Sequence, residues 1–320
     1  MTASTVETRP RGGRKSRLRP GGLAWLAPGF VLSVGLIYYC IFYSGFLSFF
    51  SWRGGTSKMT FVGWDNYAKA FDSPVFWSAI WHTIVFFVVV FAVQVVGGVA
   101  FATAMHSGLK FATLYKVIVF VPVVIAPAIM APAHIQVWSS DGTANAILDL
   151  LGLGGLAQGW IGQSSTSLMV VTLVQCWGAV GFGFLLYFAA MSQIEQEMLE
   201  AARLDGAGNL RILWSIILPN VKATTVSLAI LNFITALKLF DNPWLLTQGG
   251  PAHSSEFLGT MIYSEVSGQS RSLGYASALS MILLVIAVVV SVLMNTTGRD
   301  RPARMKARRL APAETGAQDV

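Results

Sequence analysis

Asn232, Thr235, Lys238 and Asp241 interrupt an apolar run at three-residue intervals, so on a helix Asn232 can share a face with Thr235, and Lys238 with Asp241. Polar and ionisable groups inside a membrane segment are costly and by default mark a functional pathway. Two uses are open to these four: binding a polar cargo, or, for Lys238 and Asp241, neutralising each other. Gln94, Gln136 and Gln175 stand in other apolar runs, where they can line the same cavity or hydrogen-bond across helices. Metal or hydrolytic chemistry has no such starting point. His82, His106, His134 and His253 are scattered, with no i, i+4 pair and no carboxylate at ligand spacing.

A second cluster is wetter. "SQIEQEMLEAARLDGAGNLRILWSIILP" places Glu195, Glu197, Glu200, Arg203, Asp205 and Arg211 between two long apolar runs. Ile194, Met198, Ala201 and Leu204 recur at helical spacing and predict a short amphipathic helix. Gly206 suits a left-handed turn after it, and Asn209 is placed to cap a second helix with Leu210, Leu213, Trp214 and Ile217 on one face. Pro219 then marks the bend into the next run. Ala201 and Ala202 are small enough for another protein to approach the backbone, and Glu200 offers that protein a charge. The alternative is an ordinary surface loop.

Both clusters need elements that lipid can solvate. The chain has 320 residues, 54% hydrophobic and 12% charged, with a mean hydropathy of +0.61, more apolar surface than a soluble globule of this size can hide. Six runs are long enough to cross the ~30 Å hydrocarbon core as helices. They extend from about Leu26 to Phe50, Ile80 to Ala104, Tyr115 to Val137, Ser167 to Ala190, Val221 to Leu246 and Leu273 to Met294. The expected fold is all-α and polytopic, with six transmembrane helices and a helix-turn-helix loop on the cytoplasmic side. The first run is longer than the apolar core of a secretory signal, so it is expected to stay in place. Pro122, Pro127 and Pro132 either bend the third span around a cavity or are tolerated kinks. Gly178, Gly181 and Gly183 are expected to permit close helix packing. Cys40 and Cys176 lie in apolar runs as small hydrophobes.

Lysine and arginine resist translocation, and their distribution sets the orientation. Both tails are basic, with Arg9, Arg11, Arg14, Lys15, Arg17 and Arg19 at the front and Arg299, Arg301, Arg304, Lys306, Arg308 and Arg309 at the back. With Lys110, Lys116, Arg203, Arg211 and Lys222, seventeen basic residues fall on that side; Arg53, Lys58, Lys69 and Arg271 make four on the other. Residues 1–22 and 297–320 therefore read as cytoplasmic tails around a membrane domain, 23–296, with the loop at 195–219. The tails serve as anchors beside anionic headgroups and not as a nucleic-acid site. "FVGWDNYAKAFDSPVFWSAIW" is either an interfacial segment or a linker.

Glu200-Ala201-Ala202, Gly206, Ile216 and Leu218-Pro219, in this register around Asp205, resemble the EAA loop of binding-protein-dependent ABC importer permeases. "LLTQGGPAHSSEFLGTMIYSEV", "WDNYAKAFDSPVFW" and "FVPVVIAPAIMAPAHIQVWSSDGTANAIL" are similar to the sugar-type branch, which includes maltose and glycerol-3-phosphate permeases. The chain departs from that branch at His82, where asparagine is usual, and at Lys238. The resemblance implies a bacterial cytoplasmic-membrane subunit that pairs with a second homologous permease, two ATPase subunits and an extracytoplasmic solute-binding protein. It implies that Glu200, Ala201, Ala202, Asp205, Gly206, Ile216, Leu218 and Pro219 couple to the ATPase. Asn232, Thr235, Lys238, Asp241, Gln94 and Gln175 are the candidates for the substrate pathway. No cofactor is expected on this chain, and ATP-Mg is expected in the ATPase partners; with no Gly-Lys dipeptide, the chain contains no Walker A loop. The competing readings are a stand-alone secondary transporter, which often shows related halves that are not visible here, and a membrane enzyme, for which Lys238 with Asp241 is the candidate pair.

Overall fold

The computed structural model describes residues 20–106, 111–268 and 271–298; the basic stretches 9–19 and 299–309, and Lys110, lie outside the described residues. In chain order the helices begin with α1 (Pro20–Leu47), α2 (Asp65–Asp72), α3 (Pro74–His106), α4 (Ala112–Val124), α5 (Pro127–Trp138), α6 (Thr143–Leu150) and α7 (Ser167–Met191). They continue with α8 (Gln196–Leu204), α9 (Asn209–Ile212), α10 (Leu218–Asn220), α11 (Lys222–Leu237), α12 (Asp241–Thr247), α13 (Leu258–Ser267) and α14 (Leu273–Gly298). A two-stranded antiparallel sheet, β1 (Phe50–Ser51) with β2 (Thr60–Phe61), pairs Phe50 with Phe61. Helix α1 starts within the stretch assigned to the front tail, and α14 runs two residues past 296.

Four helices are long and apolar enough to cross a membrane alone: Ala27–Leu47 of α1, then α3, α7, and Leu273–Met294 of α14. The third and fifth expected spans are broken. Helix α4 stops at Val124, Ile125 and Ala126 are extended, and Pro127 opens α5, so that the chain bends by 99°. Proline disfavours the helical conformation in the residue before it but fits the first turn of a new helix, which explains both sides of the break. Pro122 and Pro132 stay inside their helices. In the fifth run α11 ends at Leu237, Lys238 to Phe240 leave the helix, and α12 restarts at Asp241. A 64° bend also separates residues 209–220 from α11.

Helices α3 and α7 form the central pair. A Cβ on Gly98 would lie 2.9 Å from the Gly183 carbonyl carbon, and one on Gly183 would lie 2.7 Å from the Gln94 side chain. Gly181 likewise lets α4 approach, since a Cβ there would collide with the Val119 carbonyl oxygen. Gly178 is not packed in this way; its nearest neighbour would be 3.9 Å off.

At one end, Asn66 of α2 donates to the carbonyls of Ser48 and Phe50 at 2.8 and 3.0 Å, tying α2 to the hairpin. Phe61, Trp64, Trp77 and Trp81 are exposed there, as in a segment lying at a lipid–water boundary. At the other end the tips of α3 and α7 meet the 192–221 segment, where Tyr187, Met191, Ile212 and Ile217 share one apolar cluster. Cys40 and Cys176 are both free thiols.

Candidate functional site

The two helix breaks open a cavity of about 270 Å³ between α3, the α4–α5 bend, α7, α11 and the start of α12. Its polar lining consists of Gln94, His134, Gln175, Asn232, Thr235 and Asn242. The amides pair across helices. Asn232 Nδ2 donates to Gln94 Oε1 at 2.9 Å, and Asn242 Nδ2 donates to Gln175 Oε1 at 2.7 Å. Each pair uses one donor and one acceptor and leaves the far end of each carboxamide available. The Thr235 hydroxyl donates to the Leu231 carbonyl at 2.9 Å. Phe86 and Trp177 supply aromatic wall, and Gly178 lines the cavity as well.

Four of the six residues expected along a substrate pathway, Gln94, Gln175, Asn232 and Thr235, therefore meet in one cavity. Lys238 and Asp241 do not. Both are exposed, neither lines the cavity, and among the described residues they form no ion pair. Three-residue spacing gives a shared face only on a continuous helix, and here α11 has already ended at Leu237 before α12 begins at Asp241. Asp241 instead occupies the first turn of α12, where a carboxylate favours the helix dipole. The membrane-enzyme reading loses its candidate pair by the same break. Gln136 is exposed on α5, away from the cavity.

The 192–221 segment is a helix-turn-helix. Helix α8 ends in a Schellman motif: Ala207 N–H bonds to the Ala202 carbonyl at 2.9 Å, and Gly206 N–H to the Arg203 carbonyl at 3.0 Å. Gly206 sits at φ +78°, as the turn requires. Ile194, just ahead of α8, packs inward as expected, but the inward residues of α8 itself are Leu199 and Ala202, not the expected Met198, Ala201 and Leu204. Asn209 is the first residue of α9 and makes no side-chain cap; Gly208 holds the cap position. Ile212 and Ile217 are buried, whereas Leu210 and Trp214 are exposed, so the expected apolar face of the second helix is split. Residues Leu213–Ile217 widen into a π-helical turn in which Leu218 N–H reaches the Leu213 carbonyl. That widening accommodates Pro219, which has no N–H to give, ahead of the bend at Val221. Glu200, Ala201, Arg203 and Asp205 face outward beside Leu204, which is 89% exposed. Ile216 and Leu218 are half-buried and Pro219 is exposed.

The profile of binding-protein-dependent transport system inner membrane components matches residues 94–296. The chain belongs to this family. As a transport component it is 32% identical over 272 residues to the probable ABC transporter permease YurN of Bacillus subtilis, covering 84% of this chain and 92% of YurN. It is 27% identical over 299 residues to the lactose transport system permease LacF of Rhizobium radiobacter, covering 92% of this chain and all of LacF. A solved bacterial ABC transporter involved in importing the acidic polysaccharide alginate has the same fold, with a TM-score of 0.72 and 21% identity over 88% of this chain and 97% of that one.

In this transport component, Asn242 and His134 are cavity residues that sequence reasoning missed. A signal for the first was present: Asn242-Pro243 places a proline where a new helix can start, which would have separated α12 from α11. His134 carried no signal of its own, because its position depends on the 99° bend before α5.

Proposed function

We propose that this chain is the membrane-spanning permease subunit of an ATP-driven importer that passes an uncharged sugar, delivered by an extracytoplasmic solute-binding protein, through the amide-lined cavity. The observation that carries the sugar reading is the cavity's polar lining of four carboxamides, one hydroxyl and one imidazole, with no Lys, Arg, Asp or Glu among the described lining residues. Carboxamides donate and accept at once, as sugar hydroxyls do, and an unpaired ion would find no counter-charge there. The lactose system of the relative LacF agrees with this class of cargo. Lys238, which would suit an anionic solute, stands outside the cavity.

In this reading both tails and the 192–221 segment lie in the cytoplasm, and residues 48–73, 139–166 and 248–272 face outward. The coupling loop exposes Leu204, Leu210 and Trp214 as well as Glu200, apolar surface and a charge that suit a cleft in an ATPase subunit. Two ATPase subunits bind ATP-Mg, and a second related permease completes the path. Closing and reopening of the ATPase pair can bias the bundle between outward- and inward-open arrangements only if the loop contacts the two states unequally.

The test is reconstitution of the complex in proteoliposomes with a panel of labelled solutes. The expected result is uptake of a neutral sugar that requires ATP and the binding protein. Uptake without the ATPase subunits, or a preference for amino acids over every sugar, would refute the reading.

A further inference from the structure

Between α12 and α13 the chain folds around the carboxylate of Glu256, which is 5% exposed. Oε1 accepts the Thr260 hydroxyl at 2.6 Å, and Oε2 lies 2.8 Å from His253 Nδ1. Gly249, at φ +79°, makes room for it: a Cβ there would lie 2.5 Å from Oε2. The loop closes on itself where the Thr247 and Ser255 hydroxyls meet at 2.7 Å and where Ser255 donates to the Gly250 carbonyl at 2.8 Å.

Two bonds fasten this loop to helices that wall the cavity. His82 Nδ1 of α3 lies 2.9 Å from the Glu256 backbone carbonyl oxygen, and the Ser254 hydroxyl meets that of Ser167, the first residue of α7, at 2.8 Å. Phe257 is buried edge-on against Phe86 at 5.5 Å, and Phe86 lines the cavity. On the other side the loop leaves Thr247, in the last turn of the helix that carries Asn242. Glu256 itself does not reach the cavity. A buried carboxylate keeps its place only while its oxygens keep their donors, so its geometry constrains everything tied to the loop.

We propose that Glu256 is a positioning residue for translocation: by locking residues 248–257 onto α3 and α7, its carboxylate sets where Asn242 and Phe86 stand in the cavity wall. The inference rests on the importer reading above. Glu256→Gln keeps the shape but replaces one accepting oxygen with an NH₂, which cannot accept from Thr260 and can meet His253 Nδ1 only by donating to it. In proteoliposomes of the whole complex, its maximal uptake rate should fall about tenfold. The concentration of loaded binding protein giving half-maximal uptake, and ATPase activity without binding protein, should both stay within about twofold.

A covalent staple separates positioning from folding. In a Cys40→Ser, Cys176→Ala background, Ser167→Cys with Ser254→Cys places two thiols where the hydroxyls already touch. Oxidation of this staple combined with Glu256→Gln should restore uptake to within about threefold of the same staple with Glu256 retained, and reduction should abolish the rescue. Should the glutamine variant fail to assemble, His253→Ala removes a donor from the same carboxylate at an exposed position and should slow uptake about threefold. A wild-type uptake rate in the assembled variant, or no rescue by the oxidised staple, overturns the proposal. A wild-type complex without ATP-dependent uptake would instead sink the importer reading.

Discussion

The coupling loop and the cavity are assembled in opposite ways. Everything the loop offers lies between Ser192 and Val221, held by its own backbone through the cap at Gly206 and presented outward. The cavity draws its polar groups from helices far apart in the chain; the bond from Asn232 to Gln94 spans 138 positions and that from Asn242 to Gln175 spans 67. The loop's outward residues are exposed, whereas each cavity amide already spends one of its bonds on an amide from another helix. A substitution on the loop's outer face should therefore damage coupling and spare stability, and one in the cavity should damage both.

Glu200→Lys tests the first half with the largest expected effect. Glu200 is exposed, so the unfolding free energy should stay within about 0.5 kcal/mol of wild type. ATP-driven uptake should fall about 100-fold while the reconstituted complex still binds loaded binding protein. Unchanged uptake would mean that the loop's outer face is ordinary surface. Gly206→Val should follow with about a tenfold loss, because a β-branched residue at φ +78° disrupts the Schellman turn and moves the loop as a body. Gly206→Asn, which tolerates that backbone, should retain most of the activity.

The same contrast explains what the sequence disclosed. The six apolar runs and the 195–219 loop were legible because both are local: run length reports lipid solvation, and the loop's turn chemistry is contiguous. The inward face of α8 was not, because nine residues with apolar side chains on two sides define no single period, and which side turns inward is set by the buried cluster against which Leu199 and Ala202 pack. Pro122, Pro127 and Pro132 looked alike. Only Pro127 breaks the span, while Pro122 and Pro132 stay inside their helices, and nothing in their local pattern distinguishes the three. Lys238 and Asp241 were misplaced for a related reason, since their shared face presumed an unbroken helix.

A double-mutant cycle tests the cavity half. Gln94→Leu leaves the Asn232 amide buried without its acceptor and should cost about 1–3 kcal/mol in unfolding free energy. The double variant Gln94→Leu with Asn232→Leu removes both polar groups and should recover part of that stability, yet transport sugar no better than either single variant. Additive stability losses in the cycle would show that the pair is not coupled, and normal transport by the double variant would remove these amides from the pathway.

The smallest effect belongs to a group outside both regions. Burial pushes the Glu265 carboxyl of α13 above the usual carboxylate range, and Lys69 nearby opposes this only in part. The folded protein thus holds this proton more tightly than the unfolded chain does. The stabilising contribution is complete below the unfolded value and is lost as pH rises through the folded one. Glu265→Gln is neutral throughout, so its thermal midpoint should match wild type at about pH 4 and exceed it slightly at about pH 7. Since Glu265 lines neither the coupling loop nor the amide-lined cavity, maximal uptake by the variant should not follow this titration. A midpoint difference that grows toward acid pH would reverse the assigned direction, and an uptake profile that tracks it would tie α13 to the cavity.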